Sequence, residues 1–323
     1  MNHLKSGIAL AVLGFALPLA LAASLPERYV LAGTLRGEKV QLELTLEVTA
    51  DITLSASGKA SAHFIGDDRK LEGRIQEGRI RLSGAGLKLT GSLPEQYDEG
   101  PQAFAGTLAS GETFTLPIVA SYLEQRTAQG PFMDVASETP VFTRAPWKGI
   151  NGSLGRFVQT PATTFLREAQ RQSSAGNLNY FSTYENRLET LYLTPTLLSV
   201  LESQFFYTGG AHPNTTYRSQ TYYASGGSVK RLTLQDIFGG KVPDVLLNDV
   251  TERLKRQKAS MILDGTVRLK LRDLSVFNLT QKGLSFTFAP YAVATYAEGA
   301  FTVTIPYEQL EGDLNASFLP RAN

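Results

Sequence analysis

The chain has 323 residues, of which 42% are hydrophobic and 19% charged, a composition typical of a folded globular protein. Its 31 basic and 30 acidic residues give a formal net charge of +1, so nothing attracts it overall to nucleic acid or to an anionic membrane. Cysteine is absent from the sequence, which excludes disulfides and a lipid-modified cysteine anchor.

The first 22 residues have the pattern of a secretory signal peptide. Lys5 supplies a positive charge, residues 8–17 form an apolar run, and Ala20-Leu21-Ala22 fits a small-x-small cleavage site. The apolar run is shorter than the roughly 20 residues of a spanning helix, so cleavage after Ala22 is favoured over an uncleaved membrane anchor. We therefore expect an exported bacterial protein, periplasmic or extracellular, and soluble after cleavage.

Residues 23–124 are predicted to form an all-β domain. Residues 40–48 alternate apolar and polar side chains, which is typical of a strand with one face in a core. The segments 32–38 and 105–112 both contain Ala-Gly-Thr-Leu and are each predicted to be a hairpin. Further strands, separated by glycine turns, are predicted at 60–65, 70–75, 79–82, 87–93, 104–108 and 113–119. This pattern is typical of a β-meander that closes into a barrel or a sandwich.

A polar linker is predicted at 125–130, and residues 131–323 are predicted to form an α+β domain with a mainly antiparallel sheet and one long helix. Helical periodicity covers 151–172 in two parts, because Pro161 is expected to interrupt it. A second, well-defined helix is predicted to begin near Pro243. Strands are predicted at 179–193, 197–207, 216–223, 229–234, 274–279, 284–288 and 301–307.

The most informative segment is 205–214, where a β-rich run ends in two adjacent glycines and a histidine that precedes a proline. Paired glycines permit positive φ, and a residue before proline is held extended, so His212 is predicted at a well-defined corner. Two interpretations stay open: a structural corner in which His212 bonds its own turn, or a corner that presents side chains to a ligand. The candidate ligand-binding residues are Tyr207, Gly209, Gly210, His212 and Asn214.

Few residues could carry catalysis or hold a metal ion. Cleavage of the signal peptide would leave two histidines, His63 and His212, and His63 is interpreted as an ordinary strand residue. Zinc usually takes three or four protein ligands, and no spacing marks such a site; the acidic pairs Asp67-Asp68 and Asp98-Glu99 are predicted to be solvated turns. Neither a Gly-x-Ser-x-Gly elbow nor a phosphate-binding loop is present. We therefore expect no catalytic residue, metal or cofactor.

Aromatic residues outside the corner are predicted to be structural. Tyr291, Tyr296 and Tyr307 are expected at half-buried strand positions, although tyrosine also suits binding interfaces. Trp147, the single tryptophan, is expected in the core or at the junction of the domains.

Three motifs stand in order in the C-terminal half: Tyr-Thr-Gly-Gly-Ala-His-Pro at 207–213, Leu-Thr-Leu-Gln-Asp-Ile-Phe at 232–238, and a longer segment at 277–307 that contains Pro-Tyr-Ala-Val-Ala-Thr-Tyr. Together they resemble the extracytoplasmic domain of the lysozyme-sensing sigma-V anti-sigma factor family, a domain also found in exported proteins of unknown function. The resemblance implies an exported, non-enzymatic α+β domain, which binds lysozyme in the sensing member. Anti-sigma activity is not expected here, because the sequence shows no sigma-binding region and no spanning helix.

The sequence thus predicts a non-catalytic binding module of the cell envelope. The predicted partner is a secreted protein such as lysozyme, another envelope protein or peptidoglycan, and not nucleic acid. The alternative is an envelope hydrolase with His212 as general base. A hydrolase would hold His212 in a concave pocket near a carboxylate or hydroxyl, whereas a binding module would bond it into its own turn. A structural spacer, the third possibility, would show no sizeable pocket.

Overall fold

The computed structural model describes residues 27–49, 57–93, 102–130, 133–174, 182–310 and 312–318. The predicted signal peptide lies outside these residues. Within the described ranges, every helix is too short or too polar to span a bilayer. The α+β class is confirmed: an antiparallel meander of eight strands closes into a barrel, and a region with one long helix and a further sheet follows it.

The barrel strands follow one another along the chain, each antiparallel to the next, and the strands predicted from alternation are all present. The two predicted hairpins, at 32–38 and 105–112, join the first two and the last two of these strands. The first strand also pairs with the eighth, where Val30 lies opposite Ala120, and this pairing closes the barrel. The strands are β1 (Glu27–Leu35), β2 (Glu38–Thr49), β3 (Ser57–Phe64), β4 (Lys70–Gln76), β5 (Arg79–Gly84), β6 (Leu87–Ser92), β7 (Ala103–Leu108) and β8 (Thr113–Gly130).

Apolar side chains fill the barrel interior because they occupy alternate positions on each strand. Leu42 and Leu44 of β2 are fully buried, together with Phe104 of β7. Glycine allows strands β4 and β5 to approach closely: a Cβ on Gly73 would lie 1.8 Å from the carbonyl oxygen of Arg81. A side chain at this position would therefore force the strands apart.

The predicted linker at 125–130 is wrong, because these residues are the last third of β8, which is 18 residues long. Beyond the barrel, β8 pairs with β9 (Met133–Phe142), which runs parallel to β10 (Ser182–Leu193). The polar composition reflects a polar strand face: Arg126 lies 2.9 Å from Glu124 and 3.3 Å from Asp134. The barrel and the second region therefore share one continuous hydrogen-bonded sheet. The division into domains 23–124 and 131–323 stays a prediction.

The large sheet continues from β10 through the antiparallel strands β11 (Leu197–Tyr207), β12 (Asn214–Ser225) and β13 (Ser228–Leu232). The long helix α1 (Asn151–Ser174) packs on one face of it, where Leu154 and Val158 contact a core that includes Leu188. Trp147 belongs to the same core: it is 5% exposed and its Nε1 donates to the Thr194 carbonyl at 2.8 Å. The predicted core position of Trp147 is confirmed.

Pro161 lies inside α1, so the predicted interruption of this helix is wrong. Proline has no N–H to donate to the carbonyl of the residue four positions earlier, Phe157. That carbonyl instead accepts a hydrogen bond from Nη2 of Arg218 at 2.5 Å, and the guanidinium lies 4.0 Å from the centre of the Phe157 ring. A side chain of β12 thus satisfies the backbone group that the proline leaves unpaired.

A smaller sheet and three helices cover part of the other face of the large sheet. The sheet contains β14 (Phe277–Leu279), β15 (Leu284–Phe288) and β16 (Phe301–Ile305), and the helices are α2 (Leu234–Ile237), α3 (Asp244–Arg256) and α4 (Ser260–Leu263). They share one core with Leu197 of β11. Pro243 is the N-cap of α3, which confirms the second predicted helix. Asn278 of β14 donates to the Ser199 hydroxyl and the Val200 carbonyl, both at 2.9 Å, and so joins the two sheets.

Candidate functional site

The predicted corner forms the connection between β11 and β12. Tyr207 is the last residue of β11, and Asn214, which is exposed, is the first of β12. Gly209 and Gly210 have φ values of +90° and +106°, in the region that favours glycine. The Tyr207 hydroxyl donates to the Gly210 carbonyl at 3.0 Å and so fixes the turn.

Both ring nitrogens of His212, which is half-buried, have hydrogen-bond partners. Nδ1 lies 2.9 Å from the carbonyl oxygen of Pro213, which can only accept, so Nδ1 carries a proton. Nε2 lies 3.2 Å from the Tyr291 hydroxyl, and in the neutral imidazole it accepts a hydrogen bond from that hydroxyl. His212 is thus bonded to its own turn, as expected for a binding module, and also to a hydroxyl, one of the partners expected for an enzyme.

The rings of His212, Tyr291 and Tyr296 form one cluster. The Tyr296 ring stacks on the imidazole with a centroid separation of 3.8 Å and an angle of 19°, and the Tyr291 ring lies 6.1 Å from the imidazole and 5.6 Å from Tyr296. Neither tyrosine lies on a strand, so the strand prediction for this pair is wrong; both belong to the connection between β15 and β16. We call Tyr207, His212, Tyr291 and Tyr296 the aromatic corner.

Tyr291 has an unusual backbone and an exposed side chain. Its φ is +68°, in the left-handed region that a bulky residue rarely adopts, and 54% of its surface is exposed. Tyr307, the third tyrosine that the sequence singled out, differs: its hydroxyl donates to the Thr280 carbonyl at 2.7 Å and burial raises its pKa. Tyr307 is therefore structural, whereas Tyr291 presents its ring to solvent.

Hydrogen bonds to Glu298 hold the Tyr296 turn in place. Glu298 Oε2 accepts from the Ser260 hydroxyl at 2.5 Å and from the Thr295 hydroxyl at 2.7 Å. These hydrogen bonds lower the pKa of Glu298 to about 2, because they stabilise its charged form. The loop that carries Tyr296 is thereby fixed to the start of α4.

The aromatic corner offers little for acid–base or metal chemistry. The described hydrogen-bond partners of His212 are a carbonyl and a phenol, and no carboxylate in the described ranges forms an ion pair with it. Across those same ranges, no group of three or more His, Asp or Glu side chains is arranged to hold a metal ion.

Two of the clefts that the described residues form lie elsewhere on the molecule, and His212 lines neither of these two. The first, of about 700 Å³, is an open groove between the β3–β4 turn and the β14–β15 turn, where Asp68 and Lys282 form an ion pair of 2.7 Å. Asp67 and Asp68 lie in a turn, as predicted, and Asp68 is exposed there; Asp67 instead accepts hydrogen bonds from the backbone N–H and the guanidinium of Arg69, both at 2.5 Å. The other acidic pair, Asp98-Glu99, lies outside the described residues.

The second cleft, of about 470 Å³, is a charged site that sequence reasoning missed. It lies on the face of the large sheet opposite α1, beside the outer wall of the barrel. We call it the junction cleft. Residues from β8 to β11 line it, including Glu124, Arg126, Glu138, Glu185, Arg187, Glu189, Ser203 and Phe205.

A buried ion-pair network adjoins the junction cleft, and two of its members, Glu138 and Arg187, line the cleft itself. Arg28 and Glu43 are only 6% and 2% exposed, and Arg28 Nε donates to Glu43 Oε1 at 2.9 Å. Arg28 Nη1 and Arg187 Nε both lie 2.6 Å from Glu138 Oε2. The Tyr122 hydroxyl donates to Glu43 Oε2 at 2.9 Å. The network therefore joins barrel strands β1 and β2 to strands β9 and β10 of the large sheet.

Glu189 lies beside this network without a direct cationic partner among the described residues. Burial raises the pKa of its carboxyl, and the nearby Glu43 raises it further, while Arg28, Arg187 and His63 act in the opposite direction. His63 lies on strand β3, as predicted, and the structure shows that it faces outward between the buried Ala62 and Phe64. One sequence signal could have revealed the cleft: Glu185, Arg187 and Glu189 are charged at every second position of a strand and so share one face.

Comparisons with known proteins identify a domain in the C-terminal part. No curated protein matches the chain. It is similar to the crystal structure of a DUF3298 family protein from Pseudomonas aeruginosa PAO1, at 17% identity over 62% of this chain and 95% of that one, with a TM-score of 0.46. It is also similar to a DUF3298 family member from Bacteroides fragilis NCTC 9343, at 16% identity over 61% of this chain and 94% of that one, with a TM-score of 0.39. Residues 235–308 match the family model described as "Protein of unknown function (DUF3298)", and the chain therefore contains a DUF3298 domain.

Proposed function

We propose that this chain is a non-catalytic binding module of the bacterial cell envelope and that the aromatic corner contacts its partner. One observation carries the proposal. Two segments 79 residues apart bring His212 and Tyr291 together in a surface cluster of rings, and both imidazole nitrogens already have partners. Tyr291 and Tyr296 lie within the DUF3298 domain, and His212 precedes it.

The exposure and conformation of Tyr291 support a binding role. A left-handed backbone costs an L-residue about 1–2 kcal/mol. Because Tyr291 is 54% exposed, the packing of its side chain offsets only part of this cost. Such strain is characteristic of functional positions. Tyrosine is enriched at binding hot spots, because it combines a large apolar surface and a polar tip with few rotatable bonds.

The partner that we favour is a secreted hydrolase such as lysozyme. The Tyr-Thr-Gly-Gly-Ala-His-Pro motif, in which His212 lies, resembles the lysozyme-sensing sigma-V family, and the first 22 residues resemble a signal peptide. Both features support a role outside the cytoplasm. Cell-wall glycan is the other candidate ligand, and the experiment below separates the two.

An envelope hydrolase with His212 as general base is the weaker candidate. A histidine base needs a free nitrogen aimed at the substrate and a group that orients the ring. Here Nδ1 is bonded to the carbonyl of Pro213, and Nε2 faces the phenol of Tyr291. The protein therefore has better support as a binding module than as an enzyme.

The proposal is tested by measuring binding of the purified protein to lysozyme and, separately, to peptidoglycan fragments by isothermal titration calorimetry. We expect lysozyme to bind, and Tyr291→Ala to weaken binding at least about tenfold, as for an interface hot spot. Val245→Ala is the matched control, because Val245 is 51% exposed on α3 and lies outside the aromatic corner. Binding to glycan alone would make cell-wall material the ligand. Binding to neither, or equal binding by Tyr291→Ala, would refute the proposal.

A further inference from the structure

We propose that the junction cleft binds an organic cation, a guanidinium or ammonium group of the size of an arginine or lysine side chain. This second site is independent of the aromatic corner. Its volume of about 470 Å³ lies within the range of ligand pockets, roughly 300–1,000 Å³. A lysine or arginine side chain fits such a volume together with a few waters.

The charges that line the junction cleft are not balanced. Its lining includes four carboxylates and two guanidinium groups. Both guanidinium groups are engaged: Arg126 pairs with Glu124 and Asp134, and Arg187 pairs with Glu138. In the described part of the chain, this leaves Glu185 and Glu189 without an ion pair and open to a cation from outside.

The position of Glu189 gives an incoming cation a reason to bind. Its half-buried carboxyl lies near the buried Glu43, and both the burial and this neighbouring carboxylate disfavour its charged form. A cation placed against Glu189 would relieve this repulsion and replace part of the lost hydration. Arg28 and Arg187 offset only part of this effect, because Arg28 is already paired with Glu43 and Glu138, and Arg187 with Glu138.

The shape of the cleft favours an organic cation over a metal ion. Within the described ranges no three acidic or histidine side chains converge closely enough to hold a metal, whereas a planar guanidinium needs only one carboxylate, with which it forms two parallel hydrogen bonds. Phe205, which is 37% exposed, lines the same cleft, and Tyr217 lies opposite Ser203 on the neighbouring strand. Aromatic rings beside the carboxylates suit the flat face of a guanidinium.

The test uses argininamide as the cation and citrullinamide as its neutral isostere, with binding followed by calorimetry and by NMR chemical-shift changes in the full protein. We expect saturable binding of argininamide at about millimolar concentration or below and no binding of citrullinamide, because only the former carries charge. Glu189→Gln should weaken argininamide binding about tenfold or more, since a hydrogen bond to a charged group is lost. Glu72→Gln, an exposed barrel position, is the matched control and should bind as the parent does.

Three results would overturn the proposal: equal binding of citrullinamide, unchanged binding by Glu189→Gln, or no saturable binding of argininamide. Glu185→Gln provides a second variant at an exposed position of β10, and it should also weaken binding. Circular dichroism of both variants confirms that a loss of binding is not a loss of fold. The outcome is independent of whether lysozyme binds the aromatic corner.

Discussion

Removing Arg28 should destabilise the protein more than removing its partner Glu43. The side chains of both residues are nearly inaccessible, at 5% and 3% exposure, and breaking a buried pair typically costs about 3–5 kcal/mol. Arg28→Met leaves Glu43 and Glu138 without their shared cation, next to the unpaired Glu189. We therefore expect Arg28→Met to lower the free energy of unfolding by an amount near the upper end of this range, about 4–5 kcal/mol.

The loss from Glu43→Gln should be smaller. Arg28 keeps Glu138 at 2.6 Å and its contact with the Tyr122 ring, whose centre lies 4.2 Å from the guanidinium carbon. The amide oxygen of the new glutamine can still accept from the Tyr122 hydroxyl. We therefore expect about 2–3 kcal/mol for Glu43→Gln, and a double variant that is less destabilised than the sum of the two.

The assay is urea unfolding followed by tryptophan fluorescence and far-UV circular dichroism. Trp147 is a suitable probe, because it is the single tryptophan of the sequence and its core also contains Val30 of the barrel and Leu188 of the large sheet. The exposed Arg74→Met is the control and should change the free energy of unfolding by no more than about 0.5 kcal/mol. A loss below about 1 kcal/mol for Arg28→Met, or a larger loss for Glu43→Gln, would show that the network does not stabilise the junction as argued.

Three further predictions concern single positions. Gly73→Ala should destabilise the barrel by about 1–3 kcal/mol through its clash with a neighbouring strand, whereas Gly155→Ala, in open space on α1, should stabilise by about 0.5–1 kcal/mol; thermal unfolding would show whether the two signs differ. Thr233→Ala removes the α2 cap, so it should cost about 1 kcal/mol in urea unfolding and raise the pKa of Asp236 from its value of about 2 in an NMR titration; an unchanged Asp236 pKa would contradict this. Glu189→Gln should raise the free energy of unfolding at pH 7. The pKa of the Glu189 carboxyl is higher in the folded than in the unfolded protein, so its ionisation destabilises the fold once the pH rises above the ordinary pKa of a glutamate, and glutamine does not ionise. Urea unfolding should show that gain vanishing near pH 4, and a gain that persists there would refute the assignment.

Local patterns in the sequence were sufficient to predict most of the helices and strands. Alternation of apolar residues predicted β2, and glycine turns separated the predicted strands of the barrel. The same reasoning placed His212 at a corner between strands. These predictions succeed because strand alternation and turn geometry depend on residues only a few positions apart.

Where local pattern and tertiary contact compete, the tertiary contact prevails. Polar composition marked 125–130 as a linker, yet pairing with β9 makes it a strand. Pro161 marked a helix break, yet Arg218, which is 61 residues from Phe157, satisfies the carbonyl that proline leaves unpaired. Neither partner can be identified from the residues adjacent to the segment itself.

The sequence alone determined the α+β class, the hairpins of the meander and the corner that carries His212. Only the tertiary structure brought Tyr291 and Tyr296 against that corner and placed Glu189 beside the Arg28 network. The physical reason is that these contacts depend on which strands become neighbours. Strand order is set by how distant segments bury their apolar faces together, and no short stretch of sequence contains that information.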